Sequence, residues 1–254
     1  MYALITGASS GIGFESAKIL AAKGYDLIIT ARSVDKLNNL KELIEKDYQK
    51  EVIVIPLDIS KIDSVYELFE KTKEYKIEVV INNAGLGKVG MFNEVTDAED
   101  INMININVTA MQLVLKHYAD VLDSGYILTV ASVASFCPGP KMATYYATKN
   151  YIRSYAEALR YELKKMKKNI GVTILAPGPV NTNFNDTANV TFTLKGVAAD
   201  KCASYAIKRM FKKKKFATPK WTVRWATRFM RILPHRTSMR ICYKSQSKKQ
   251  KNIK

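Results

Sequence analysis

Short runs of apolar, mostly β-branched residues alternate along this chain with longer stretches in which apolar side chains return every three or four positions. Tyr2–Thr6, Asp26–Thr30, Glu51–Leu57, Glu78–Asn82, Gly125–Ala131 and Ile170–Ala176 have the length and composition of strands. Several, such as Ala3 to Thr6 and Leu27 to Thr30, are almost wholly apolar, which predicts strands covered on both faces. Strand alternating with helix predicts an α/β fold, a doubly wound parallel sheet with helices on both faces. One long helix is expected over about 143–168, where Ile152, Tyr155, Ala156, Leu159, Leu163 and Met166 recur at helical spacing. It offers one face to the sheet and another to a cleft.

The first strand runs straight into Thr6-Gly7-Ala8-Ser9-Ser10-Gly11-Ile12-Gly13, and a helical pattern takes over at Phe14. Strand, glycine turn and helix aim backbone N–H groups and a positive helix end at a phosphate, so the turn makes the fold Rossmann-like. The same residues also satisfy G-x-S-x-G, the nucleophile elbow of α/β-hydrolases. That elbow needs an earlier strand to supply an oxyanion donor and a later acid and histidine. Here the motif follows the first strand, and the only histidines, His117 and His235, have no triad context. Strand two ends in Thr30-Ala31-Arg32, where a carboxylate would meet the ribose 2′-hydroxyl of NAD. Arg32 instead offers a planar cation suited to a 2′-phosphate, which favours NADP(H) over NAD(H) against the alternative of a solvated surface arginine.

Tyr145 and Lys149 stand four apart on one helical face. A free phenol titrates near ~10 and is a slow acid at neutral pH, and a neighbouring ammonium is expected to lower that value and fit Tyr145 for proton transfer. Ser132 follows the fifth strand at the sheet edge where open α/β folds bind ligands, placed to meet a substrate carbonyl. Ser135 is a nearby competitor, and either serine on its own reads equally well as a cap or turn residue.

With these pieces in order, the chain resembles the short-chain dehydrogenase/reductase family over about residues 1–185. The resemblance rests on Thr6 to Gly13, Asp58 after strand three, Asn82-Asn83-Ala84-Gly85 after strand four, Asn107, Ser132, Tyr145 with Lys149, and Pro177-Gly178-Pro179-Val180-Asn181-Thr182. It implies that Tyr145 is the general acid in reduction and that Ser132 hydrogen-bonds the carbonyl oxygen. Lys149 would also hold the nicotinamide ribose, and Asn107 would position a water linking Lys149 to solvent. The implied cofactor contacts are Gly7, Ser9, Ser10, Gly11, Ile12 and Gly13 in the turn, Asp58 and Ile59 at the adenine, and Asn83, Ala84 and Gly85 on the adenosine side, beside Arg32 at the 2′-phosphate. Pro177, Gly178, Val180 and Thr182 would lie towards the nicotinamide, with Tyr145 and Lys149. No metal is needed for this chemistry. A homodimer through the helices at about 98–118 and 143–168 is likewise implied by resemblance alone.

Composition changes the picture only at one end. Hydrophobic residues at 47% and charged residues at 25% are ordinary for a folded domain and exclude a disordered or collagen-like chain. Cys137, Cys202 and Cys242 lack the spacing of a disulfide framework or a zinc site and read as buried thiols. The net charge of +17 is uneven: residues 1–190 carry 21 Lys+Arg against 22 Asp+Glu, and residues 191–254 carry 19 against 1. With a strand beginning at Tyr2 there is no secretory signal pattern, nor an apolar run long enough to span a bilayer, so a cytoplasmic protein is expected.

Residues 1–211 are expected to form the catalytic domain, with a substrate lid at about 184–211 and a helix over about 199–211. Residues 212–254 form a basic amphipathic extension, in which Trp221, Trp225, Phe229, Ile232 and Leu233 share one helical face and Arg224, Arg228 and Arg231 another. Such a helix suits an anionic membrane surface at the inner face; the alternative is that it closes the pocket or meets another subunit. Nothing in the tail has the form of a base-reading module, so no specific nucleic acid is expected. The predicted activity is NADP(H)-dependent interconversion of a carbonyl, whether ketone, aldehyde or 3-oxoacyl group, and an alcohol by hydride transfer. The rival is a silent NADP-binding sensor or scaffold of the same fold, which the intact Ser132, Tyr145 and Lys149 disfavour.

Overall fold

The computed structural model describes residues 1–182, 184, 196–230 and 232–250. A seven-stranded parallel sheet in the order β3-β2-β1-β4-β5-β6-β9 forms its centre. The strands are β1 (Tyr2–Thr6), β2 (Asp26–Ala31), β3 (Val52–Pro56), β4 (Ile77–Asn82), β5 (Ser124–Val130), β6 (Asn169–Leu175) and β9 (Phe216–Ala217), with β7 (Val180–Asn181) and β8 (Val197–Ala198) pairing apart. The connecting helices are α1 (Gly11–Ala22), α2 (Val34–Tyr48), α3 (Ile62–Thr72), α4 (Asp97–Ile104), α5 (Met111–Val121), α6 (Ala143–Lys165) and α7 (Ala199–Phe211). Then come α8 (Trp221–Met230) and α9 (His235–Gln250). This is the Rossmann-like fold that the alternating pattern predicts.

Alternation along each strand divides the core in two. Leu4, Ile28, Val80 and Ile127 stand side by side in register and face α3, α5 and α6. Their chain neighbours Ile5, Ile29, Ile81 and Leu128 form the opposite row, against α1, α2 and α7. Both faces are therefore dry, which is why these strands carry no polar alternation.

The chain winds outward through β1, β2 and β3, then returns to lay β4 against the other side of β1. That reversal leaves a crevice beyond the carboxyl ends of β1 and β4, where an open α/β sheet takes its ligand. Asn82 holds the far wall by donating from Nδ2 to the Met111 carbonyl, 2.8 Å away, at the start of α5.

Several expectations need adjustment. The long helix ends at Lys165, and Met166, expected on its buried stripe, is exposed. Three two-residue strands follow β6 that no periodicity announces. One of them, β9, lies beyond residue 211 and pairs with Ile174 and Leu175 at the sheet edge. The helix expected over 199–211 is α7, whereas residues 185–195 of the expected lid, and Arg231, lie outside the described residues. All three cysteines are buried, and the sulfurs of Cys137 and Cys242 approach to 3.5 Å.

Ile81 is fully buried on the central strand, so Ile81→Ala should cost about 2–5 kcal/mol of stability, read as a lower urea midpoint with an unchanged slope. A loss below about 1 kcal/mol would contradict this packing.

Candidate active site

The crevice deepens into a cavity of about 570 Å³ whose lining runs from Arg32 and Asp58, beyond β2 and β3, to Tyr145, Lys149 and Gln246. Its floor is the glycine turn. Gly7 and Gly11 have φ of +68° and +57°, a region that a side chain strains. Gly11 opens α1, so the unpaired N–H groups of the first helical turn face the crevice. Asn83 stitches this turn to β4: its Nδ2 donates to the carbonyls of Thr6 (3.0 Å) and Gly7 (3.1 Å). The hydroxyl of Thr6 accepts in return from the backbone N–H groups of Asn83 (3.0 Å) and Ala84 (3.1 Å).

Gly7, Ser9, Ser10, Gly11, Ile12, Arg32, Asp58, Ile59, Asn83, Ala84, Gly85, Ser132, Tyr145, Lys149, Pro177, Gly178, Val180 and Thr182 all line the one cavity. Gly13 does not; it lies beneath the turn, where a Cβ would come within 2.3 Å of the Gly7 carbonyl oxygen. Its absence of side chain seats α1 on the turn. Asn107 also stays off the cavity wall, fully buried in a π-helical stretch, Asn105–Ala110, between α4 and α5. There its Nδ2 donates to the Leu86 carbonyl (2.7 Å) and to Thr148 Oγ1 (3.1 Å), while Oδ1 accepts from the Leu86 N–H at 3.0 Å. The widened turn brings an interior asparagine to bear on α6 and on the loop after β4 at once.

The catalytic candidates converge from β5 and α6. Ser132 caps a short 3-10 turn, its Oγ accepting from the Ala134 N–H at 3.2 Å. Ser135 donates to the Ser132 carbonyl at 2.5 Å and is absent from the cavity wall, so geometry separates the two serines. Burial raises the Tyr145 phenol, and a side-chain hydrogen bond with Ser132 pulls it part of the way back. The lysine-driven lowering expected from sequence is not what this geometry produces. Lys149 Nζ donates to the Val130 carbonyl at 3.0 Å and sits 5.9 Å from the Tyr145 ring centre, while burial alone lowers its own pKa to about 8. A Cβ on Gly85 would lie 3.0 Å from Asn107 Oδ1 and 3.1 Å from Lys149 Nζ, so any larger residue there would push on both groups.

Sequence reasoning missed other parts of the wall. Ser33 and Lys36 lie beside Arg32, with Lys36 one helical turn along, a spacing legible in the chain. Tyr146 flanks Tyr145 with ring centres 6.2 Å apart, and Phe184, which opens the lid expected at about 184–211, stands 5.7 Å from it. Gln246 comes from α9, a hundred residues onward, and its Nε2 donates to Tyr146 Oη at 2.7 Å. His117 stacks on Phe69 at 3.8 Å and is no part of the cavity lining, which removes it as the base of a hydrolase.

A family model described as short chain dehydrogenase matches residues 1–191. An uncharacterised oxidoreductase of Staphylococcus saprophyticus is 35% identical over 188 residues, covering 72% of this chain and 75% of that one. A 7beta-hydroxysteroid dehydrogenase of Clostridium sardiniense is 31% identical over 184 residues, 71% of this chain and 70% of that one. A short-chain dehydrogenase from Sphingobium yanoikuyae, solved in complex with NADPH, superposes with a TM-score of 0.80 at 26% identity, over 90% of this chain and 92% of that one.

The Lys149 ammonium gives the site a signature in stability. With its pKa lowered from 10.5 to about 8, the unfolded chain holds a proton that the folded chain has lost across that interval, so stability rises with pH there. Below about pH 8 the whole cost of burying the charge is present. Lys149→Met is therefore expected to be at least as stable as the parent near pH 7, with its advantage shrinking as pH climbs towards 10.5, in urea titrations without added cofactor. A variant that is less stable near pH 7 would show the ammonium to be favourably held.

Proposed function

Because the chain belongs to the short-chain dehydrogenase/reductase family, we propose that it is an NADP(H)-dependent oxidoreductase interconverting a ketone or aldehyde and the corresponding alcohol. The observation that carries this reading is the meeting of Tyr145, Ser132 and Lys149 in the same cavity as the glycine turn. Nicotinamide, when bound, supplies or accepts a hydride at the substrate carbon. This chain's residues do the rest.

The turn residues Gly7 to Ile12 and the N-terminus of α1 suit the pyrophosphate, while Gly13 acts from below by holding α1 in place. Arg32, with Lys36 and Ser33, suits a ribose 2′-phosphate, and the pair of cations supports NADP(H) over NAD(H). Asp58, Ile59, Asn83, Ala84 and Gly85 would border the adenosine, and Pro177, Gly178, Val180 and Thr182 the nicotinamide. Ser132 Oγ, which accepts from Ala134 N–H and hydrogen-bonds Tyr145, would turn its proton to a carbonyl oxygen when a substrate enters. Tyr145 would donate the proton that turns that oxygen into a hydroxyl. In the direction of oxidation it would take the proton back. Lys149, with its pKa near 8, would both bind the ribose and favour the phenolate once a ligand draws Nζ off the Val130 carbonyl. Asn107 would act on Lys149 through the Leu86 and Gly85 backbone, the route by which a positioned water would be held.

In this reading residues 1–211 are the catalytic unit and 212–254 an extension whose strand completes the sheet. Exposed Ile101, Ile104, Tyr151 and Tyr161 support a dimer through α4, α5 and α6. A cytoplasmic site of action, peripheral to the inner membrane face, belongs to the same proposal; among the described residues no helix is long and apolar enough to cross a membrane.

Tyr145→Phe should lower kcat by about 10²- to 10⁴-fold while NADPH still binds in a fluorescence titration. Residual activity near the parent's would remove Tyr145 as the acid, and binding without turnover by the parent, across a panel of short and long carbonyls, would favour the silent sensor. Arg32→Ala should cut kcat/KM with NADPH by about 10- to 100-fold and leave the NADH value unchanged; an equal loss with both cofactors would defeat the 2′-phosphate role.

A further inference from the structure

The two C-terminal helices, α8 packed beside the cavity residue Gly178 and α9 reaching the cavity through Gln246, carry a surface for which hydride transfer has no use. On α8, Thr227 is buried and Val223 is half-buried, with a methyl 3.3 Å from where a Cβ on the cavity residue Gly178 would stand. The opposite face of the helix holds Trp221, Trp225 and Phe229 at four-residue spacing, continued by Ile232, and these are 71%, 60%, 63% and 81% exposed. On α9, Ser238, Cys242 and Gln246 are buried while Ile241 and Tyr243 are 47% and 44% exposed. Isolated apolar side chains on a surface are ordinary, but two tryptophans, a phenylalanine and an isoleucine on one stripe make a contiguous patch of the kind that docks.

Charge decides between the occupants of such a patch. Residues 191–254 contain 19 Lys+Arg and a single acid, although the rest of the chain is nearly balanced. Lys220, Arg224, Arg236, Arg240 and Lys244 are exposed on or beside these two helices. A second copy meeting the same face would set one cationic surface against another, since a two-fold contact pairs a patch with itself. An anionic bilayer offers the complement: aromatic rings settle at the depth of the headgroups, and lysine and arginine meet lipid phosphates.

We propose that the exposed apolar and basic face of α8 and α9 docks this chain on an anionic lipid bilayer, with both helices lying in the interface. Docking stands on the surface alone. Its consequence for substrate, an apolar carbonyl or alcohol dissolved in lipid, rests on the oxidoreductase reading.

Both tryptophans of the chain, Trp221 and Trp225, lie on the proposed face, so intrinsic emission reports its burial directly. The full chain should float with vesicles of phosphatidylcholine containing phosphatidylglycerol and show a blue shift in emission, and its affinity should be at least about tenfold weaker for phosphatidylcholine alone. Trp221→Ser/Trp225→Ser/Phe229→Ser should abolish flotation yet keep NADPH binding and turnover of a water-soluble carbonyl, and should slow turnover of a long-chain ketone presented in the vesicles. Arg240→Gln/Lys244→Gln should weaken the anionic binding and leave emission in buffer unchanged. Absence of both flotation and blue shift in the parent would overturn the proposal, as would flotation of the triple variant equal to the parent's. A parent that ignores vesicles but runs as a dimer, with the triple variant monomeric, would assign the face to contact between copies and overturn it too. Flotation of a chain that turns over no carbonyl at all would sink the oxidoreductase reading and leave docking intact.

Discussion

Everything at this site hangs on the place where the sheet reverses direction between β1 and β4. Two strands far apart in sequence end there side by side: beyond Thr6 the chain still bonds the Thr30 carbonyl of β2, but its ladder with β4 has stopped. Thr6 and Asn83 bridge that break by bonding one another's backbone, and Asn83 extends the repair to the Gly7 carbonyl. Gly13 lets α1 close against the same carbonyl. The glycine turn is thus held open by β4 as much as by its own residues, and a turn so held costs a ligand little ordering on binding.

The same economy of position governs Lys149. A buried ammonium is unfavourable, yet Lys149 is held in the interior by the Val130 carbonyl, with room left beside it by the small Gly85. Asn107 fixes the backbone beside that gap through the Leu86 amide group, and it reaches that position because the helix between α4 and α5 widens by one residue per turn. The cost of desolvating the lysine is carried by two well-filled core layers on either side of the sheet, and the return is a titrating group near neutrality next to a phenol.

What sequence made legible, and what it hid, follows from the range of the interactions. The six long strands and α6 were visible because hydrophobic burial repeats within each segment. The two-residue strands were not, because β9 exists only through its pairing with Ile174 and Leu175 and has no period of its own. Most of the cavity wall was legible through motifs lying at strand ends. The exceptions are instructive: Gly13 belongs to the turn yet supports it from beneath, and Asn107 acts through backbone rather than by facing the cavity. The direction of the Tyr145 shift also escaped, since spacing on a helix reports that Lys149 is near but not that it is turned towards Val130. Gln246 had no local signal at all, being brought to Tyr146 by the tertiary fold.

That last contact ties the tail to the chemistry. Gln246 and Cys242 rest on Tyr146 and Cys137, the immediate surroundings of the Tyr145 ring, so the final helix is part of the wall and cannot be treated as a removable appendage. Exchanging this one segment would alter together the wall beside Tyr145, through Gln246, and the exposed aromatic stripe of α8. An inner surface and an outer one are thus carried by a single stretch of chain, while the glycine turn and the strands that flank it are built without it.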